Sequence, residues 1–114
     1  MSNVNIYGPN KVGRDDRTLT VALNGTTATS TMNLDGIIYT VFIITPSSTD
    51  GTYTYSLTDE DGCTYYTSTT LTASSTPAKL TIGELTTGVV TVTITCSTNQ
   101  TAARAFRIKT LKSA

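Results

Sequence analysis

The side chains able to do chemistry in this 114-residue chain are eight carboxylates, two thiols, six tyrosines and eight cations, with no histidine and no tryptophan. Without imidazole the commonest general base is missing, so Ser/His and Cys/His nucleophilic pairs are excluded and a zinc enzyme loses its usual ligand. Paired carboxylates could hydrolyse a glycoside, but the acids lie in turn-like contexts, and none is flanked by aromatics that would raise a proton affinity. Asp59-Glu60-Asp61-Gly62 offers alternate oxygens at Asp59 and Asp61 and then continues into Cys63 and Tyr65, where a calcium loop needs further oxygen ligands. Asp and Gly in that stretch supply turn geometry instead. The glycines are dispersed, so no loop cradles phosphate, and no Cys-x-x-Cys pair exists. The expectation is a non-enzymatic chain with no catalytic residue, no metal site and no cofactor.

Cys63 and Cys96 are too few for a disulfide scaffold. Free, buried thiols acting as small apolar residues are the simpler state, and a single bridge is the alternative, since both fall on predicted strands. Tyr39, Tyr53, Tyr55, Tyr65 and Tyr66 are the aromatic residues that could stack on a sugar. Tyr53 and Tyr55 share a strand face, which points to packing, whereas Tyr65 and Tyr66 beside the acidic hairpin are the exposed pair on which a carbohydrate-binding or adhesion module would rely.

The formal net charge of zero hides a partition. Residues 1–17 carry a net +1, residues 18–100 a net −5, and residues from 101 onward a net +4 without a single acid. The cations of the two ends, Lys11, Arg14, Arg17, Arg104, Arg107 and Lys109, are the candidate partner contacts. They read either as a solvated edge that discourages strand pairing or as a strip that docks on an acidic surface, including the acidic hairpin of a neighbouring copy. Nucleic acid is not the expected partner, because the chain has no net positive charge and aromatics are not interleaved with the cations. No apolar run approaches the roughly 18 residues that span a bilayer, so no membrane is expected. Met1-Ser2-Asn3-Val4 lacks the blocks of a signal peptide, and synthesis in a cytoplasm without export is the simpler reading.

The elements that must position these groups are strands. Twenty-seven Thr, eight Ile and seven Val make 42 of the 114 residues β-branched. Thr18 to Leu23 places Leu19, Val21 and Leu23 on one face and ends at the Asn24-Gly25 turn. Ala28 to Leu34 reads as an edge strand, and Gly36 to Ile44 as a strand buried on both faces at the centre of the core. Tyr53 to Thr58 and Cys63 to Thr67 form a hairpin across the acidic turn. A Ser/Thr-rich connection from Ser68 to Pro77 leads to Lys79–Leu85, then to Val89–Cys96, whose Val90, Val92, Ile94 and Cys96 oppose Thr91, Thr93 and Thr95. Ala102 to Leu111 closes the chain. The pattern predicts an all-β fold, a single β-sandwich or jelly-roll-like domain of seven to eight antiparallel strands over residues 18–114, preceded by an arm over residues 1–17.

Tyr55-Ser56-Leu57-Thr58-Asp59-Glu60-Asp61-Gly62, the later Leu80-Thr81-Ile82, the alternating Val90 to Thr95 and the closing Ala103 to Ile108 resemble small β-sandwich structural proteins of tailed bacteriophages. The resemblance covers roughly residues 37–111. It departs at Cys63-Thr64-Tyr65-Tyr66, where a short apolar segment is expected. It implies a capsid decoration or cement protein, or a head–tail accessory protein of neck or tail, bound to the major capsid protein or another virion protein. It further implies a homo-oligomer, often a trimer, located in the virion and made in the host cytoplasm.

Overall fold

The computed structural model describes residues 12–113. Eight antiparallel strands follow one another: β1 (Val12–Val21), β2 (Thr27–Asn33), β3 (Gly36–Ile44), β4 (Tyr53–Thr58), β5 (Thr64–Thr67), β6 (Ala78–Thr86), β7 (Val89–Cys96) and β8 (Arg104–Ser113). They form two four-stranded sheets in the order β1-β8-β3-β6 and β2-β7-β4-β5. Consecutive strands mostly alternate between the sheets, which is jelly-roll topology. The expected all-β sandwich is the fold observed.

Alternation in the sequence explains the layering. In β7, Val90, Val92, Ile94 and Cys96 are buried, and in β4 so are Tyr53, Tyr55 and Leu57. The first sheet answers with Val21, Ile38, Val41, Ile43, Phe106 and Ile108, all at most 1% exposed. Tyr53 stacks on Phe106 across the two layers with ring centroids 5.0 Å apart. Side chains at alternate positions of two facing sheets interdigitate into one core.

Three expectations are corrected in detail. Residues 12–17, read as part of an arm, are the first half of β1, paired with β8 from Val12↔Ser113 to Arg17↔Ile108; residues 1–11 lie outside the described residues. The β1 strand ends at Val21, so Leu23 sits in the following turn and is 57% exposed rather than in the core. In β3, Ile38, Val41 and Ile43 are buried, while Ile37, Phe42 and Ile44 are only half-buried on the opposite side. That strand is interior within its sheet but has one face toward the core and one face outward.

A bulge distorts the middle of the first sheet. Tyr39 is extra in β3 relative to β8, and β6 accommodates the same region with Gly83 at φ 66°. That left-handed conformation suits glycine, and an extra residue of this kind increases local twist.

Candidate functional site

The six candidate cations have three fates. Arg17 lies on the inner side of β1, where its Nε and Nη2 donate to the two carboxylate oxygens of Asp15 at 2.6 and 3.0 Å. Its Nη1 donates to Ser30 Oγ at 2.6 Å and to the Thr31 carbonyl at 2.7 Å, both on β2 of the other sheet. The side chain therefore ties the two layers together along one side, and its hydrogen bond to the Asp15 carboxylate holds its pKa above the usual value.

Arg104, at the start of β8, is tied down in a similar way. Its Nη2 donates to Asp50 Oδ1 at 2.7 Å, and its Nη1 to Ser48 Oγ at 3.3 Å. Asp50 also accepts from the Thr101 backbone and hydroxyl. Fully buried Gln100 completes the knot: its amide donates to the Asp50 carbonyl at 2.8 Å, and its Oε1 accepts from the Asp50 backbone at 2.9 Å. Arg104, first among the causes, holds the Asp50 pKa below the ordinary carboxylate value. Arg17 and Arg104, expected as partner contacts, are both engaged in ties within the chain. Lys11 lies outside the described residues.

Arg14, Arg107 and Lys109 do point away from the core. Arg14 pairs with Asp16 at 3.1 Å, both about half exposed or more. Arg107 and Lys109 occupy the outer face of the first sheet, and the register shows what surrounds them. Phe42 of β3 stands opposite Lys109 of β8 on one side and Lys79 of β6 on the other. Ile44 stands opposite Arg107. The result is a strip of three cations about two half-buried apolar side chains, with a hollow of 110 Å³ where Ile44 meets Asp16, Thr18, Arg107 and Lys109. Toward the other end of this face the residues are Leu111, Thr40, Thr81 and the exposed Val12 and Leu85. Sequence reasoning missed Phe42, Ile44 and Lys79, although the alternation of Val41 and Ile43 with Phe42 and Ile44 was their available signal.

The outer face of the second sheet differs in every row. Thr27, Thr95 and Thr54 are register neighbours, as are Thr29, Thr93, Ser56 and Thr67, and Thr31, Thr91 and Thr58. This surface offers hydroxyls and methyls with no charge.

The tyrosines expected to be exposed are not. Tyr65 and Tyr66 are half-buried and packed against the core, Tyr66 lying 6.5 Å from the Tyr55 ring. Neither ring stands fully open to solvent. The phenols of Tyr53 and Tyr55 are buried without a hydrogen-bond partner, and burial pushes Tyr53 up to about 12 and Tyr55 further in the same direction. Cys96 is buried, with its thiol pKa raised by burial, and Cys63 is exposed at the hairpin. Both are free thiols, so the bridged alternative does not hold and Cys63 is not the buried residue expected. At the acidic turn, Asp59 Oδ1 accepts from the backbone of Asp61 and Cys63 at 2.9 and 2.7 Å. Its carboxylate closes the turn. Among the described residues, no group of three or more His, Cys, Asp or Glu converges as metal ligands do.

No protein-family model matches the chain, and no curated protein sequence does. Solved structures do resemble it. A Bacillus endospore appendage protein, from a family of disulfide-linked pili, superposes with a TM-score of 0.53 at 18% identity, covering 90% of this chain and 88% of that one. The carbohydrate-binding module CBM36, in complex with calcium and xylotriose, gives 0.48 at 16% identity over 93% and 96%. The particle of the extra small virus of the prawn Macrobrachium rosenbergii gives 0.34 at 16% identity over 91% and 80%. At such identities the appendage protein shows a shared fold, and the chain is a small β-sandwich of jelly-roll type.

Proposed function

We propose that the chain is a structural rather than catalytic protein, a subunit that decorates or cements the outer surface of a bacteriophage capsid. The observation that carries this reading is the inequality of the two outer faces. One sheet presents an uncharged hydroxyl surface, and the other presents half-buried apolar side chains framed by cations. A molecule with one hydrated side and one side that gains by being covered suits lying flat on an assembled shell. Repetition by symmetry makes many modest contacts sufficient, because multivalent attachment multiplies weak affinities. The strand and turn pattern quoted from Tyr55 to Gly62 and from Val90 to Thr95 supports the phage setting. The partner is then the major capsid protein or another virion protein of head, neck or tail, and the location is the virion, after synthesis in the host cytoplasm.

Purified protein added to undecorated capsids should co-sediment with them and raise their resistance to heat. Absence of binding at stoichiometric excess overturns the decoration reading. Leu85→Ser on the first sheet's outer face should weaken capsid binding without changing the fold, since Leu85 is 68% exposed and has no core contact to lose.

A further inference from the structure

The charges left over after internal pairing are separated in space. Arg14–Asp16, Arg17–Asp15 and Arg104–Asp50 are ion pairs within the chain. Five acids have no such pair among the described residues: Asp35, Asp59, Glu60, Asp61 and Glu84. All lie at one end of the sandwich, which the topology brings together. The β2–β3 turn carries Asp35, whose Oδ1 accepts from the Gly88 backbone at 2.8 Å. The β4–β5 turn carries the next three, and Glu60 Oε1 lies so near Gly88 that an added Cβ would meet it at 3.1 Å. Glu84 stands opposite Ile38 at the same end, as does Lys112 on the other side of β3. Among the described residues, the cations on the outer face of the first sheet that make no ion pair, Lys79, Arg107 and Lys109, form the strip about Phe42 and Ile44.

From this arrangement we infer that the partner seated on the cationic strip is the acidic end of a second copy of this chain. The inference rests on the reading of this face as one covered in an assembly, and it leaves the Leu85 and Leu111 end of the face for the shell. The occupant is argued from charge complementarity: the hairpin tip of Glu60 and Asp61 is exposed and narrow, and the strip supplies three cations with apolar contact between them. The two surfaces are different patches of one molecule, so the contact is heterologous. Such contacts generate rings where the rotation closes and open chains where it does not. A trimeric ring is one closed solution, in line with the oligomer that the sequence resemblance implies.

The test is sedimentation velocity on the purified chain alone, without capsids. The parent protein should form an oligomer at low salt that dissociates at high salt, because exposed charges are screened within about 3 Å at 1 M. Arg107→Glu with Lys109→Glu should be monomeric, as should Glu60→Lys with Asp61→Lys. Asp59 is left in place because its carboxylate closes the turn. Mixing the two reversed variants should restore contacts between unlike copies, giving alternating chains or even-membered rings rather than a trimer, since each then offers the sign the other lacks; far-UV circular dichroism of each variant keeps misfolding distinguishable. A parent that stays monomeric at low salt, or reversed variants that assemble as the parent does, overturns the inference. A monomer that still binds capsids overturns it while leaving the decoration reading intact, and an oligomer that ignores capsids does the reverse.

Discussion

On the outer side of the second sheet one row across four strands reads Thr29, Thr93, Ser56, Thr67; on the outer side of the first, a comparable row reads Asp16, Lys109, Phe42, Lys79. The pleat is the same in both, and so is the two-residue period that turns alternate side chains outward. What differs is how water treats the result. Hydroxyls exchange hydrogen bonds with solvent at little net gain or loss, so covering them yields little. Phe42 and Ile44 keep a minor part of their surface in water, and covering it is worth about 0.5 kcal/mol each, a quarter of the ~2 kcal/mol for a whole side chain of this size. Two sheets with nearly equal inner faces can thus have outer faces with opposite tendencies to associate, and the asymmetry is written only at the outward positions.

The largest effect should come from uncoupling the sheets beneath these faces. Arg17→Ala removes the bonds to Asp15, Ser30 and Thr31 and leaves the Asp15 carboxylate without its partner; a loss of about 2–3 kcal/mol in urea unfolding is expected. A loss below about 0.5 kcal/mol would show that the tie is ornamental. Next, Phe42→Ser should lower stability by about 1 kcal/mol, because most of the ring is already covered within the sheet, and weaken self-association roughly 3-fold, read by the concentration dependence of sedimentation. Unchanged association would move the contact off the first sheet.

The response to pH separates the core from both faces. Tyr53 and Tyr55 have folded pKa values above the unfolded value of 10, so their contribution to stability is whole below pH 10 and disappears as the pH rises toward the folded values, about 12 for Tyr53. Absorbance at 295 nm should show these two phenols ionising only together with unfolding; early, independent ionisation would contradict their burial. Asp50 works in the opposite direction, its folded pKa being depressed, so the knot at Arg104 is intact above the ordinary carboxylate range and is lost as the pH falls through the folded value. The smallest effect is expected from Thr93→Lys, a charge placed in the middle of the hydroxyl face: stability within about 0.5 kcal/mol and no change in assembly. Loss of assembly in that variant would reverse the roles assigned to the two faces.

The strands were legible where one face is apolar and the other is threonine. Val89–Cys96 and Gly36–Ile44 have the bounds that alternation or composition predicts, and the acidic turn forms the hairpin its Asp and Gly residues imply. Residues 12–17 were illegible as strand because Arg14-Asp15-Asp16-Arg17 carries no apolar period; the inner positions are filled by an ion pair, Asp15 with Arg17, whose two-residue spacing is the signal in hindsight. The nearly continuous apolar run of β3 hid its outward side, since a strand covered on both faces and a strand with an adhesive outer face have the same composition. For the site, charge along the chain gave the cations, but only the register separates Arg107 and Lys109 on the surface from Arg17 and Arg104 in structural ties.

The pairing of Val12 with Ser113 has a practical meaning for anyone handling the protein. The two residues stand side by side at the end that holds the Gly88 turn and the acidic hairpin, whereas the far end of the described residues consists of connections such as 45–52 and 68–77. Peptides meant for display would do better grafted into the far-end connections, where they would project away from that end.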